Sequence, residues 1–211
     1  MKKFELTNEF ITNMFGTKLF RIRALVEFGD VEAGELGGYV EKESNLGHDD
    51  NAWVYDNAWV YGDAQVSGDA LVYDNARVYG NARVYGDAQV SGDALVYDNA
   101  WVYDNAWVYG NAQVSGDARV CGDARVCGNG DYAYAHGFGS VNRTTTFFRL
   151  KDGGVGVRCG CFYGTLAQFR DKIRETHGET KKAQEYLMLA DLMELRFEED
   201  ENEVGNRKYV E

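Results

Sequence analysis

Between Asn51 and Gly128 the chain repeats one pattern, [DN]-A-x-V-x-[GD], thirteen times without a gap. Alanine recurs at every sixth position from Ala52 to Ala124, and valine likewise from Val54 to Val126. The A-x-V alternation sets Ala and Val on one face of a short strand and the x positions on the other. The Gly, Asp and Asn that follow tolerate positive φ and close a tight corner. Three such sides close a triangular coil, with each strand stacked about 4.8 Å from the one a coil earlier. Thirteen units fill a little over four coils, a solenoid roughly 20 Å long. The stretch "DAQVSGDALVYD" at 63–74 returns letter for letter at 87–98. Four units is not a whole number of coils, so the two copies fall on different sides. That suits a generic rung better than a duplicated ligand site.

A solenoid exposes its core at both ends and needs caps. Residues 1–39 read as an N-terminal β cap, with a strand over "KLFRIRALVEF" (18–28) offering Leu19, Ile22, Leu25 and Phe28 for burial. Residues 40–131 form the helix, Val40 and Leu46 taking core positions in imperfect first rungs. Residues 132–211 form a ββαα unit. "TTTFFRL" and "GVGVRCGCF" flank "KDGG" as a hairpin, with Cys159 and Cys161 on one side of the second strand. Thr165 is the expected N-cap of a helix burying Leu166, Phe169 and Ile173. A second helix buries Tyr186, Ala190, Met193 and Phe197, ahead of a polar tail from 198 that is frayed or held by a partner.

The units "VSGDAL" and "VYGNAR" resemble the hexapeptide repeat, aliphatic at the first position and small at the fifth. That resemblance implies a left-handed parallel β-helix, as in hexapeptide acyltransferases and γ-class carbonic anhydrases. Over nearly its whole length the chain also resembles uncharacterised phage and prophage hexapeptide-repeat proteins, through "FRIRALVEFGDVEAGELGGYVEKESNLGHDDNAWVYDNA" and "TTTFFRLKDGGVGVRCGCFYGTLAQFRDKIRETHG". It implies a fold rather than an activity, and family precedent favours trimers.

The enzymes of this fold use histidines at subunit interfaces, and this chain has only His48, His136 and His177. His48 lies at one end of the solenoid and His136 at the other, and no loop interrupts the repeat. The reading is therefore non-enzymatic, with an acyltransferase-like activity the least favoured alternative.

The outward positions carry the variation. Trp53, Trp59, Trp101 and Trp107, the ladder Tyr61, Tyr79 and Tyr97, and the corner acids Asp69, Asp87 and Asp123 are the candidate protein-binding residues. Acidic corners at coil spacing also raise Ca²⁺ or phosphate mimicry, against the plainer reading of turn chemistry interleaved with Asn. A second candidate site, for an anion, combines Ser140, Asn142, Arg143, Thr144 and Arg158 near the N-terminus of the first helix.

The net charge of −12 argues against direct binding to nucleic acid or an anionic membrane. Cys121, Cys127, Cys159 and Cys161 lack zinc spacing and read as reduced thiols in a cytoplasmic setting, with no metal and no cofactor. The first expectation is an oligomeric interaction protein, a homodimer or homotrimer, that engages and inhibits a host protein. The alternative is a small-molecule or nucleotide-binding module.

Overall fold

The structure, a computed structural model, describes residues 2–139 and 143–198. Three strands open the chain: β1 (Phe4–Thr12), β2 (Lys18–Ala24) and β3 (Leu36–Val40). Thirteen two-residue strands follow, β4–β16, one per repeat from Trp53–Val54 to Arg125–Val126. The chain then forms β17 (Tyr132–Phe138), β18 (Arg143–Arg149), β19 (Val155–Cys159), β20 (Phe162–Thr165), α1 (Leu166–His177) and α2 (Lys181–Phe197). The polar tail expected to be frayed lies, from residue 199 on, outside the described residues.

Each rung pairs in parallel with the rung 18 residues on, as in Trp53–Leu71–Gln89–Trp107–Arg125. The three sides are sheets ordered β1-β2-β3-β5-β8-β11-β14, β16-β13-β10-β7-β4 and β15-β12-β9-β6. The expected parallel β-solenoid is therefore present, and every repeat Ala and Val is at most 1% exposed. The corners obey the turn argument: φ is positive at the sixth position of each repeat up to Gly122, which is either Gly or Asp. Asp is among the residues that enter this region at least cost. Asp74, Asp98 and Asp104 also accept a hydrogen bond there from the amides of Gly92, Gly116 and Gly122, one coil on.

The ladder has a direction. Each coil donates its N–H groups to carbonyls of the next, as Trp53 N does to Ala70 O at 3.1 Å. The first coil is thus left with unused carbonyls and the last with unused N–H groups. The two caps match this polarity, since a buried backbone group without a partner is costly. At the start, donors arrive: Lys3 Nζ bonds Ala52 O at 2.9 Å, and Asn45 Nδ2 bonds Gly62 O and Ala64 O at 3.1 and 2.8 Å. At the far end, acceptors arrive. Asn129 Oδ1 takes Gln113 N at 2.8 Å, Tyr132 Oη takes Ser115 N at 3.3 Å, and Thr146 Oγ1 takes Arg119 N at 2.9 Å. Asp131 Oδ2 takes both Cys127 N and Gly128 N at 3.0 Å.

The N-terminal cap closes the first coil with an apolar cluster of Phe4, Ile22, Ala24, Val31 and Trp53. Phe28 and Phe4 meet the Trp53 ring edge-on at 5.3 and 6.2 Å, and Trp53 is fully buried. This corrects the expectation that Trp53 lies on an open surface: its outward position is covered by the cap. Leu25, expected inside, is 41% exposed because β2 ends at Ala24. The cap's approach depends on Gly38, where a Cβ would stand 2.7 Å from the carbonyl oxygen of Ala58. The first coil holds two more residues than the rest, since Tyr39 pairs with Trp59 and Leu46 with Val66.

The C-terminal unit has four strands, ordered β17-β18-β19-β20, where two were expected. Its central hairpin is the expected one, with Thr146 opposite Arg158 and Phe147 opposite Val157. "GVGVRCGCF" is not one strand, because Gly160 at φ 60° turns the chain between β19 and β20. Cys159 ends one strand and Cys161 lies in the turn, so they do not share a strand face. Thr165 caps α1, accepting from Gln168 N at 3.3 Å while Gln168 Oε1 accepts from Thr165 N at 2.9 Å. Phe147 and Val157 then pack against Leu166, Phe169, Ile173, Tyr186, Ala190, Met193 and Phe197. The sheet's other face closes the solenoid, with Tyr132 and Phe148 joining its core.

Candidate functional site

Where β17 and β18 cross the last coils, they leave a cleft of about 440 Å³ lined by Asn99, Trp101, Asp117, Arg119, His136, Arg143, Thr144 and Gly160. The solenoid wall owes its shape to register. Arg83, Trp101 and Arg119 occupy the same outward position on successive coils. The two guanidinium carbons lie 5.4 and 4.6 Å from the Trp101 ring centre, so the ring is flanked by cations. Tyr85 meets it edge-on at 6.1 Å. Cation–π contacts of this kind hold extended arginines in place near the surface.

The opposite wall comes from the C-terminal sheet. His136 Nδ1 lies 2.8 Å from Thr144 Oγ1 and 3.9 Å from Asp117 Oδ2. Asn99 Nδ2 donates to the other oxygen of Asp117 at 3.1 Å. The Arg143 guanidinium lies against Gly160, where a Cβ would overlap it. Two arginines, a histidine and a hydroxyl thus line one cleft together with a carboxylate and a tryptophan. In a chain of net charge −12 this is a local concentration of positive charge.

The structure brings together residues that the sequence assigned to two separate sites. Trp101, expected to meet a protein, shares the cleft with Arg143 and Thr144, expected to meet an anion. Arg158 is not part of the lining. Its guanidinium lies 5.8 Å from the Tyr103 ring, beside Cys121. Burial pushes the Cys121 thiol up to about 11, against the opposing effect of its hydrogen bond with Tyr103. Ser140 and Asn142 lie outside the described residues. Arg119, Asp117 and Asn99 were missed because they sit at ordinary repeat positions, and only the strand crossing above them sets them apart.

The other sequence candidates are dispersed. Arg77 covers half-buried Trp59 at 4.3 Å, and Arg125 lies 4.5 Å from Trp107, which stays 40% exposed. Tyr61, Tyr79 and Tyr97 stack at 5.0 and 5.1 Å with nearly parallel rings. Asp69, Asp87 and Asp123 are exposed corner residues, and Asp69 accepts from Asn51 Nδ2 at 2.7 Å. The same Asn-to-acid bonding joins Asn75 to Asp93 at 3.2 Å. Interleaved amides thus bridge successive corners. Among the described residues no group of three or more His, Cys, Asp or Glu is placed to hold a metal ion. Among them, too, no helix is long and apolar enough to cross a membrane. His48 is engaged in the N-terminal cap, stacked on Phe4 at 4.5 Å and accepting from Lys3 N at 3.2 Å.

Residues 64–78, 76–91, 88–104, 100–116 and 112–128 each match the family model described as the YdcK beta solenoid repeat. Together with the stacked sheets, that match decides the class. The chain is a β-solenoid repeat protein. The matched segments leave both caps outside them, so the similarity belongs to the solenoid and not to the cleft's C-terminal wall. A comparison with curated proteins finds no match to the chain.

Proposed function

We propose that this β-solenoid repeat protein is a binding module without chemistry of its own, and that the cleft between its last coils and the C-terminal sheet receives a small anion-bearing ligand, such as a phosphorylated molecule. The observation that carries this reading is the convergence of Arg119, Arg143, Thr144 and His136 on one cleft beside Trp101. Arginine forks and hydroxyls are the groups that hold phosphate oxygens, and a tryptophan edge accepts an apolar portion of the same ligand. Asp117 is the opposing charge. Its presence gives the test a sign.

The test is isothermal titration with inorganic phosphate and pyrophosphate. Arg143→Ala weakens binding at least tenfold, while Asp117→Asn strengthens it by removing the carboxylate that faces the anion. Absence of saturable binding, or binding indifferent to both changes, sinks the proposal.

One further observation favours a protein partner as a second reading. Met188, Leu192 and Leu195 form a stripe on α2 with exposures of 71, 54 and 68%. Exposed apolar residues at helical spacing are a usual feature of interfaces. In this reading the resemblance to phage and prophage proteins supplies a host protein as the target and a homo-oligomer as the form. Light scattering before and after Leu192→Asp tests it. A monomer at all concentrations, unaltered by the change, removes the oligomer.

A further inference from the structure

The tyrosine ladder has an open end. Tyr61, Tyr79 and Tyr97 occupy one outward position on successive coils, and their rings lie within 5° of parallel. The same position one coil later is Ser115. The face of Tyr97 turned away from Tyr79 therefore has no fourth ring above it. It opens instead into a bay of about 430 Å³, lined by Tyr97, Gln113, Ser115, Asn129, Tyr132 and Tyr134 among others.

Of the other breaks in the aromatic columns, those at Ser67 and Cys127 are exposed and two more are closed over. On a second side Tyr85 and Tyr103 stack at 4.9 Å, and the next position is Cys121. There Cys121 is buried, and a planar cation, the Arg158 guanidinium, lies over Tyr103. On the third side Ser91 interrupts the tyrosines, and it too is buried, at 9% exposure. Ser115 is instead partly buried and lines the bay.

The rim of the bay carries polar groups at the level of the missing ring. Asn129 spends its Oδ1 on Gln113 N, at 2.8 Å, which leaves its amide N–H groups for another acceptor. The Arg196 guanidinium reaches the same rim, 3.4 Å from Asn129 O. The Gln113 side chain is exposed beside them. Tyr134 packs its hydroxyl over corner Gly116, where a Cβ would overlap it, and so walls the bay off from the neighbouring corner. A flat aromatic floor with amide and guanidinium groups around its edge matches a flat ring that carries its own hydrogen-bonding atoms.

We propose that the bay beyond Tyr97 binds a planar heteroaromatic ring of the nucleobase class, stacked on Tyr97 where a fourth tyrosine of the ladder would lie. The site is separate from the anion cleft, and neither depends on the other.

Adenosine and uridine are the probes, because they carry a base and no phosphate, so their binding reports on this bay alone. In NMR titrations the Tyr97 ring protons shift saturably with nucleoside. Ser115→Tyr completes the ladder, holds or raises the melting temperature, and weakens nucleoside binding at least tenfold. Tyr97→Leu, which keeps an apolar side chain and removes the stacking face, abolishes binding and decides the matter if Ser115→Tyr lowers the melting temperature. No saturable shift at Tyr97, or binding retained in a folded Ser115→Tyr or Tyr97→Leu protein, overturns the proposal.

Discussion

Replacing Thr146 with valine preserves the shape of a fully buried side chain and removes one oxygen. That oxygen is the acceptor for Arg119 N at 2.9 Å, on the last rung of its side, where no further coil supplies a carbonyl. Leaving a buried amide unpaired costs about 1–3 kcal/mol. The adjacent Thr145 is equally buried but faces the helices, and its hydroxyl donates to Cys159 Sγ at 3.2 Å, a weak acceptor. Losing that donor leaves no backbone group unsatisfied, so Thr145→Val costs at most about 1 kcal/mol, the net worth of one ordinary hydrogen bond. Urea denaturation followed by tryptophan fluorescence gives the comparison, since all four tryptophans lie in the solenoid. Hydrogen exchange at the Arg119 amide adds a local reading, with protection lost in Thr146→Val and kept in Thr145→Val. Equal losses from the two substitutions, or the larger loss from Thr145→Val, would refute the account of how acceptors close the upper edge.

Trp53→Ala empties a fully buried position and costs about 3–5 kcal/mol. Trp107→Ala removes mainly an exposed contact with Arg125 and costs about 1 kcal/mol; similar losses in the same urea series contradict the burial assigned to the N-terminal cap. At the corner where Asp98 holds φ 58° and accepts from Gly116 N, Asp98→Ala costs about 1–2 kcal/mol, and Asp98→Gly costs less because glycine enters that region freely. Equal losses in thermal melts would show that the side-chain bond, not the backbone angle, governs the corner. Burial holds the Lys3 ammonium down at about 8, against the pull of Asp50, Asp49 and Asp69, while in the unfolded chain it titrates near 10.5. Between those values the unfolded state binds more protons, so Lys3 makes stability rise with pH across that window. Below about 8 the full cost of burying the charge is present. Subtracting the stability–pH curve of Lys3→Met from that of the parent should leave this rise, and a flat difference would exclude it.

The solenoid was legible because each rung is a local event. Six residues suffice to specify one: an inward Ala and Val, then a corner that tolerates positive φ, as at Ala94, Val96 and Asp98. The column of Tyr61, Tyr79 and Tyr97 followed from the coil length alone. What failed was non-local. Trp53 occupies the same repeat position as exposed Trp107, and differs only because Phe4 and Phe28 fold over it. Likewise Arg119 carries no mark in its own repeat unit, yet it faces Arg143 and Thr144 once β17 and β18 cross the last coil. Gly160 was read as part of a strand because its neighbours have strand composition, and its positive φ divides them into β19 and β20. The caps decide these cases, and no periodicity describes a cap.

The central claim is that the cleft between the last coils and the C-terminal sheet is built for an anion. The most direct measurement is an NMR titration with inorganic phosphate that observes backbone amides and arginine Nε–Hε groups together. A cleft of this kind gives saturable shifts at Arg119, Arg143, Thr144 and His136, with Arg77 and Arg125, which cover Trp59 and Trp107 elsewhere on the solenoid, left unmoved. Shifts spread evenly over all the arginines, or none that saturate, would contradict it.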